Sequence, residues 1–489
     1  MTLRDEQPID CGRSFFERDE NRLTRVWTVN GDTYSSTIDT FGLEFPAVPE
    51  SCPKDLADWW WASLQGITPT ASESRGTLRV AELFCGPGGL AHGVSQFCNE
   101  AGYVLQCVAA ADSDSDAVDV YSQNHGPLDF LHTGLVSDLV AYETAGNAEN
   151  ATWEVNPELT PKWSDLKNED PIDLLIAGPP CEGHSNLNNH SRRKDKRNAS
   201  YLDVPALAVA LDIPVVIIEN VPAAVHDHGR VVQTASRLLQ QKGYQVTEGV
   251  LKAASMGWPQ ARSRFFMVAR KDTAPLPLEV VAEILSLNPE EKPLSAWWAI
   301  GDLESIEPDE HMHRTAAYED DTVERLEYLH SDEGKASFDL PPERHNKMHR
   351  PSVRKKLVEQ NELDPEDLET TYRSVYGRMD PKRPAGTITT GFMTPGRGRY
   401  VHPTQKRTIN PREAARLQGF PDDYRFTING SPPTSRLLTK WIGDAVPLPL
   451  GYGAALAALA RLRRLKMNNY GRSADNAGAL SSGGASSSL

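Results

Sequence analysis

Val80-Ala81-Glu82-Leu83-Phe84-Cys85-Gly86-Pro87-Gly88-Gly89-Leu90 reads as a buried strand, a glycine turn and the start of a helix. Glycine lets a backbone approach a ligand closely, and a helix N-terminus offers free amide groups. At the end of the next apolar run stands Asp112, 23 residues after Gly89. An acid at that spacing accepts hydrogen bonds from ribose hydroxyls. The turn therefore points to a nucleoside cofactor without selecting one. The pattern Gly86-x-Gly88-Gly89 has Ala91 where the Gly-x-Gly-x-x-Gly dinucleotide template needs its last glycine, so a nicotinamide-binding fold and a plain tight turn both stay open.

From residue 77 onward, short apolar runs alternate with helical stretches. The segments 78–85, 104–111, 172–177, 215–218, 245–251 and 265–269 read as buried strands, and 89–100 and 231–242 as helices. That alternation predicts an α/β fold, a doubly wound and mostly parallel sheet with helices on both faces. Residues 274–405 are richer in Pro, charge and turn residues and are expected to form a second, smaller domain. Sheet chemistry returns in 406–466, ending in an apolar helix over 450–465. Residues 1–76 read as an accessory extension whose Trp59-Trp60-Trp61 run is packed or partner-facing. The Gly/Ser/Ala/Asn-rich 467–489 reads as a disordered tail. The catalytic and cofactor-binding domain is expected over 77–273.

Composition narrows the class. Of 489 residues, 39% are apolar, enough for a sizeable core. No run of about 18 apolar residues suggests a membrane span, and the polar start lacks a secretory signal. The six cysteines make no Cys-x-x-Cys pair, so no metal site or disulfide framework is expected. Unpaired thiols suit the cytoplasm. The net charge of −16 argues against a nucleic-acid footprint spread over the whole surface. Two local basic runs remain: Arg-Arg-Lys-Asp-Lys-Arg at 192–197, and Arg344, Lys347, Arg350, Arg354, Lys355 and Lys356. Each is either a phosphate contact or a solvated face.

Three further motifs carry chemistry. Gly178-Pro179-Pro180-Cys181-Glu182-Gly183-His184-Ser185 follows a buried strand. Ligands of such sheets sit beyond the carboxyl ends of the strands, so Cys181 is placed for catalysis rather than for a core. Ile217-Ile218-Glu219-Asn220-Val221 ends another strand with a carboxyl that burial would keep protonated; the plainer reading is a helix cap. Arg262 and Arg264 alternate at the start of a strand, which directs both to one side. Two guanidinium groups in one cleft suit an anionic intermediate, a phosphate or carboxylates, although a structural ion pair for one of them is an equally natural role.

Taken together, these motifs resemble the DNA cytosine-5 methyltransferase family. The likeness covers residues 77–273 and about 372–460 in the family's order. It runs from the Phe84 turn through Pro179-Pro180-Cys181, Glu219-Asn220-Val221 and Gln260-x-Arg262-x-Arg264 to residues 412–421 and Gly443-Asp444-Ala445-Val446-Pro447. The resemblance implies a Rossmann-like fold dependent on S-adenosylmethionine, with S-adenosylhomocysteine as product and no metal. It implies Cys181 as the nucleophile on C6 of a flipped cytosine in duplex DNA. Glu219 would hold and protonate N3, and Arg264 with Arg262 would stabilise the adduct. The cofactor would rest on Phe84, Gly86, Pro87, Gly88, Gly89, Leu90, Asp112, Pro180, Asp444 and Val446. The mobile loop after Cys181 would bring Ser185, Arg192, Arg193, Lys196 and Arg197 to the DNA, and residues 274–405 would recognise the target.

Some positions depart from the family. Ser113 replaces a large residue, Asp444 an asparagine, Glu182 a glutamine and His184 an aromatic, and Gly134-Leu135 stands where an acid is usual. The segment 412–421 either organises target recognition or packs internally, with Arg412 or Arg416 in ion pairs; internal packing is expected. The resemblance also leaves a transfer-RNA branch and a catalytically silent DNA-binding relative open. The span of 148 positions from Arg264 to Arg412 (412 − 264) leaves room for a DNA-reading domain. The expectation is a cytoplasmic enzyme of host DNA protection, nucleoid-associated when on DNA. Its partners would be duplex DNA and defence-system proteins, a monomer would suffice, and no membrane is involved.

Overall fold

In a computed structural model, the structure describes residues 12–180, 200–306, 311–331 and 377–460, apart from positions 13, 30 and 228. Cys181, Ser185, the basic run 192–197, the second basic run and the tail from 467 lie outside the described residues.

The centre is a seven-stranded sheet in the order β12-β13-β11-β10-β5-β6-β7. Its strands are β5 (Gly76–Leu83), β6 (Tyr103–Asp112), β7 (Phe130–Thr133), β10 (Leu174–Ala177), β11 (Val215–Asn220), β12 (Gln245–Lys252) and β13 (Ser263–Arg270). The pairs β5–β6, β6–β7, β5–β10 and β10–β11 are parallel. β13 is antiparallel to both β11 and β12, so it alone runs against the others. Alternate residues feed two cores. Leu174 and Ile176, with Val215 and Ile217, belong to one apolar cluster, and Leu175 and Ala177, with Val216 and Ile218, to the other. A strand covered on both faces reads as a continuous apolar run. Residues 245–251, expected as a buried strand, form instead the mostly exposed edge strand β12, where only Leu251 is buried.

Helices α2 (Gly89–Ala101) and α3 (Ser115–His125) connect β5, β6 and β7, and α4 (Asp203–Ala210) and α5 (Val231–Gln241) serve the other half. A hairpin of β8 (Val140–Ala145) and β9 (Thr152–Leu159) packs on α4.

Residues 15–71 build more than a loose extension. β1 (Phe15–Arg18), β2 (Arg22–Val29), β3 (Asp32–Asp39) and β4 (Thr70–Ala71) form an antiparallel sheet, and α1 (Lys54–Leu64) carries the three tryptophans. All three are buried in the main core. Trp60 meets Trp258 and Tyr452 edge-on at 5.5 and 5.9 Å, and Trp61 meets Trp298 at 5.6 Å. Arg25 on β2 is buried beside Glu100 of α2, 3.4 Å away, and Glu100 accepts hydrogen bonds from Trp59 (2.9 Å) and Tyr452 (2.7 Å).

The described parts of 274–405 also pack on the sheet domain. α6 (Leu278–Leu285) lies against β12, α7 (Ala296–Ile300) is buried in the main core, and α8 (Asp320–His330) follows. The chain returns through α9 (Pro411–Gln418), α10 (Ser435–Asp444) and α11 (Leu448–Leu459), and α11 packs against α2. The run Ser435–Leu459 has the length and apolarity of a membrane span, which the sequence reading missed, but 94% of its most apolar stretch is buried inside the fold.

Candidate active site

The parallel strands deliver the motifs to one edge. β5 ends in the glycine turn, β6 in Asp112, β10 in Gly178-Pro179-Pro180 and β11 in Glu219-Asn220. The sheet order reverses between β5 and β10, because β6 and β7 lie on one side and β11 on the other; such a switch opens a crevice. Since β13 runs the opposite way, its beginning reaches the edge where the others end. Arg264 therefore stands beside Glu219, Nε to Oε1 2.7 Å.

Glu219 is only 7% exposed. Burial pushes its carboxyl above the usual range, against the charges of Arg264 and Arg262, and Asp444 adds to the upward push. Its second oxygen faces Gly178: a Cβ at that glycine would lie 3.5 Å from Oε2. The Asn220 side chain donates to the Pro179 carbonyl at 3.2 Å. Together these contacts set the acid beside the backbone that leads into Cys181.

The glycine turn is held in an unusual conformation. Phe84, Gly86 and Gly88 have φ of 54°, 49° and 96°, and Gly88 is the residue before the first turn of α2. A side chain at Gly88 would sit 2.4 Å from the His125 ring, whereas a Cβ at Gly86 would meet nothing within 4 Å. Open space in front of Gly86 is the cradle a cofactor requires. Asp112 accepts from the Gly86 amide at 2.8 Å and from the Asp114 amide at 2.9 Å. Gly89 lies against Ala445 and the Val446 carbonyl, so the last motif closes on the first, with Leu90, Pro87 and Val446 buried around it. Asp444 ends α10 and is exposed, as is Ser113. Pro180 is half-buried at the end of the described loop.

A family model described as C-5 cytosine-specific DNA methylase matches residues 78–457. The chain belongs to this family. The methylase is 35% identical over 410 residues to the Type II methyltransferase M1.BsuMI of Bacillus subtilis, covering 84% of this chain and 86% of that one. It is 29% identical over 381 residues to the Type II methylase M.HgiDII of Herpetosiphon aurantiacus, covering 76% and 92%. The human tRNA (cytosine(38)-C(5))-methyltransferase is 28% identical over 212 residues, 42% of this chain and 46% of that one. The protein is a DNA cytosine-5 methyltransferase.

Arg262 and Arg264 take different partners in the methylase: Arg264 stands on β13 beside Glu219, whereas Arg262 lies just before that strand. Arg262 is buried and donates to the carbonyls of Ile388 (2.6 Å) and Gly443 (2.8 Å). It fixes the end of α10 while its charge still reaches Glu219. Arg416 pairs with Asp422 at 2.6 Å and with Asp302 at 2.5 Å, as the packing reading of 412–421 expects.

Sequence reasoning passed over two groups. Glu82, 1% exposed, lies on β5 under the turn; burial pushes its carboxyl far up, the Tyr121 hydroxyl pulls back, and the Asp112 charge adds to the rise. A lone acid in an apolar run was its signal. Asp114 caps α3 by accepting from Ala117 at 3.2 Å and also accepts from Lys440 and Trp441 of α10. Its first role is legible from an acid just before a helix, but its second joins residues more than 300 positions apart and leaves no local trace.

Proposed function

We propose that the methylase transfers a methyl group from S-adenosylmethionine to C5 of a cytosine flipped out of duplex DNA, through a covalent bond to Cys181. The observation that carries the reading is the buried Glu219 carboxyl, held by Arg264 at 2.7 Å beside the backbone that leads to Cys181. Two prolines stiffen that approach.

The chemistry follows from the groups. The Cys181 thiolate adds to C6 of the base, and the electron pair displaced from the C5–C6 bond moves toward C5 and the ring. Glu219, whose carboxyl burial raises above the usual range, donates at N3 so that negative charge does not accumulate there. Arg264 holds Oε1, which aims Oε2 at the base. The donor held by the glycine turn would supply its methyl group as an electrophile: C5 would take it with the displaced electron pair while the sulfonium carbon–sulfur bond breaks and S-adenosylhomocysteine is left. The C5 proton then leaves to a base, the C5–C6 double bond re-forms and the thiolate departs from C6. Covalent catalysis replaces one difficult step with two easier ones. A cytosine inside a duplex is out of reach of a thiol, so extrusion is required.

The cradle residues fit the donor: Gly86 and Gly88 give backbone access, Asp112 accepts from ribose hydroxyls, and Phe84, Leu90, Pro180 and Val446 supply apolar walls. Asp444 borders the same site. The loop residues Ser185, Arg192, Arg193, Lys196 and Arg197 would contact phosphates, and part of 274–405 would read the target. A role in host DNA protection draws support from the Type II relatives.

Labelled S-adenosylmethionine offered with varied duplexes and with transfer RNA tests the reading. Label recovered as 5-methylcytosine in duplex DNA, and lost in Cys181→Ser, is expected. Label confined to RNA, or retained in the serine variant, would overturn it.

A further inference from the structure

The ribose acid Asp112 is braced from the far end of the chain. Lys440 Nζ lies 2.9 Å from Asp114 Oδ2, and the Trp441 indole donates to the same oxygen at 3.2 Å. The Asp114 amide donates to Asp112 Oδ1 at 2.9 Å, while the Gly86 amide donates to Oδ2 at 2.8 Å. Hydrogen bonds thus run without a gap from α10, through the turn between β6 and α3, to the cofactor cradle. Both oxygens of Asp112 are engaged by backbone amides, which fixes the plane of the carboxylate. Each oxygen keeps a further lone pair, and a carboxylate with both edges pinned presents these in one direction.

The turn needs this brace. Ser113 at its crest is exposed and too small to anchor it by packing. Trp441 is 1% exposed and cannot rotate away. Lys440 stands within electrostatic reach of Asp112, Asp114 and Asp444; it is the cation that offsets three carboxylates gathered around one cradle.

We propose that Lys440 and Trp441, acting through Asp114, are positioning residues that orient Asp112 for the cofactor ribose, so that α10 sets the affinity for the methyl donor. The inference rests on Asp112 being the ribose acid. Its consequence is specific: loss of the brace weakens donor binding and leaves the base-handling side of the site intact.

Calorimetric binding of S-adenosylhomocysteine to the full chain tests it, with Asp112→Asn as reference. Asp112→Asn is expected to weaken binding about tenfold. Lys440→Met and Asp114→Asn are each expected to weaken it about two- to five-fold, as suits a half-exposed pair. Lys440→Arg should restore it, and the double variant Lys440→Met, Asp114→Asn should be no worse than Asp114→Asn alone. In turnover, Lys440→Met should raise KM for S-adenosylmethionine with kcat within about twofold. Asparagine keeps the α3 cap, so folding is preserved. Wild-type binding by Lys440→Met together with weak binding by Asp112→Asn would overturn the brace alone. Wild-type binding by Asp112→Asn would overturn the ribose assignment and the brace with it.

Discussion

Glu82 gives a direct measure of the electrostatics under the cofactor turn. Its carboxyl ordinarily titrates near 4.5, and burial with the Asp112 charge holds it well above that. Between those two values the fold takes up a proton that the unfolded chain has released. The sign follows: the stability tied to this group is fully present below pH 4.5 and is lost as the pH rises toward the folded value. One proton corresponds to a slope of up to about 1.4 kcal/mol per pH unit. Glu82→Gln has the same shape and no titration. Urea unfolding of both proteins at several pH values between about 5.5 and 7.5 should show their difference shifting in favour of the glutamine variant by about that slope as the pH rises. Parallel profiles would refute the reasoning, because they would mean that Glu82 is ionised in the folded protein.

Four further outcomes are expected. Glu219→Gln should retain the fold and lose methyl transfer by about a hundredfold or more, measured as incorporation of label at saturating DNA. Arg264→Ala removes the charge that lowers the Glu219 carboxyl, so among whatever activity remains, the alkaline fall of kcat/KM should move to higher pH. Gly88→Ala places a side chain at φ 96° and 2.4 Å from His125, which should weaken S-adenosylhomocysteine binding about tenfold or more in calorimetry. Arg25→Met leaves Glu100 its hydrogen bonds from Trp59 and Tyr452 but removes its charged partner; a loss of about 3 kcal/mol in urea unfolding is expected.

The inner strands of the sheet and the glycine start of α2 were legible in the sequence because an inner strand is covered on two faces and reads as an apolar run, whereas the short outer strand β7, half-exposed along its length, was not read. The direction of β13 was not, since apolar periodicity is the same whichever way a strand runs. That single reversal is what brings Arg264 to Glu219. The alternation of buried residues along β2 was present but unread: Leu23, Trp27 and Val29 are separated by Arg25, whose burial depends on Glu100, 75 residues away. The carbonyls that Arg262 holds, of Ile388 and Gly443, lie 126 and 181 residues away and leave no local trace. The places of the glycine turn, Asp112 and Glu219 at the ends of strands were each readable from type and spacing, whereas the contacts of Asp114 with Lys440 and Trp441 exist only once α10 has docked.

The packing of α11 on α2, with Tyr452 seated on Glu100, also orders events during synthesis. Residues 12–270 contain every strand among the described residues, yet the ribosome must deliver another 190 residues, to Ala460, before the helix that backs the glycine turn arrives (460 − 270). Until then α2 lacks its cover, Gly89 has no Ala445 or Val446 against it, and Arg262 has no Gly443 carbonyl to hold. A nascent chain therefore carries residue 181 long before it carries the segment that packs on the glycine turn.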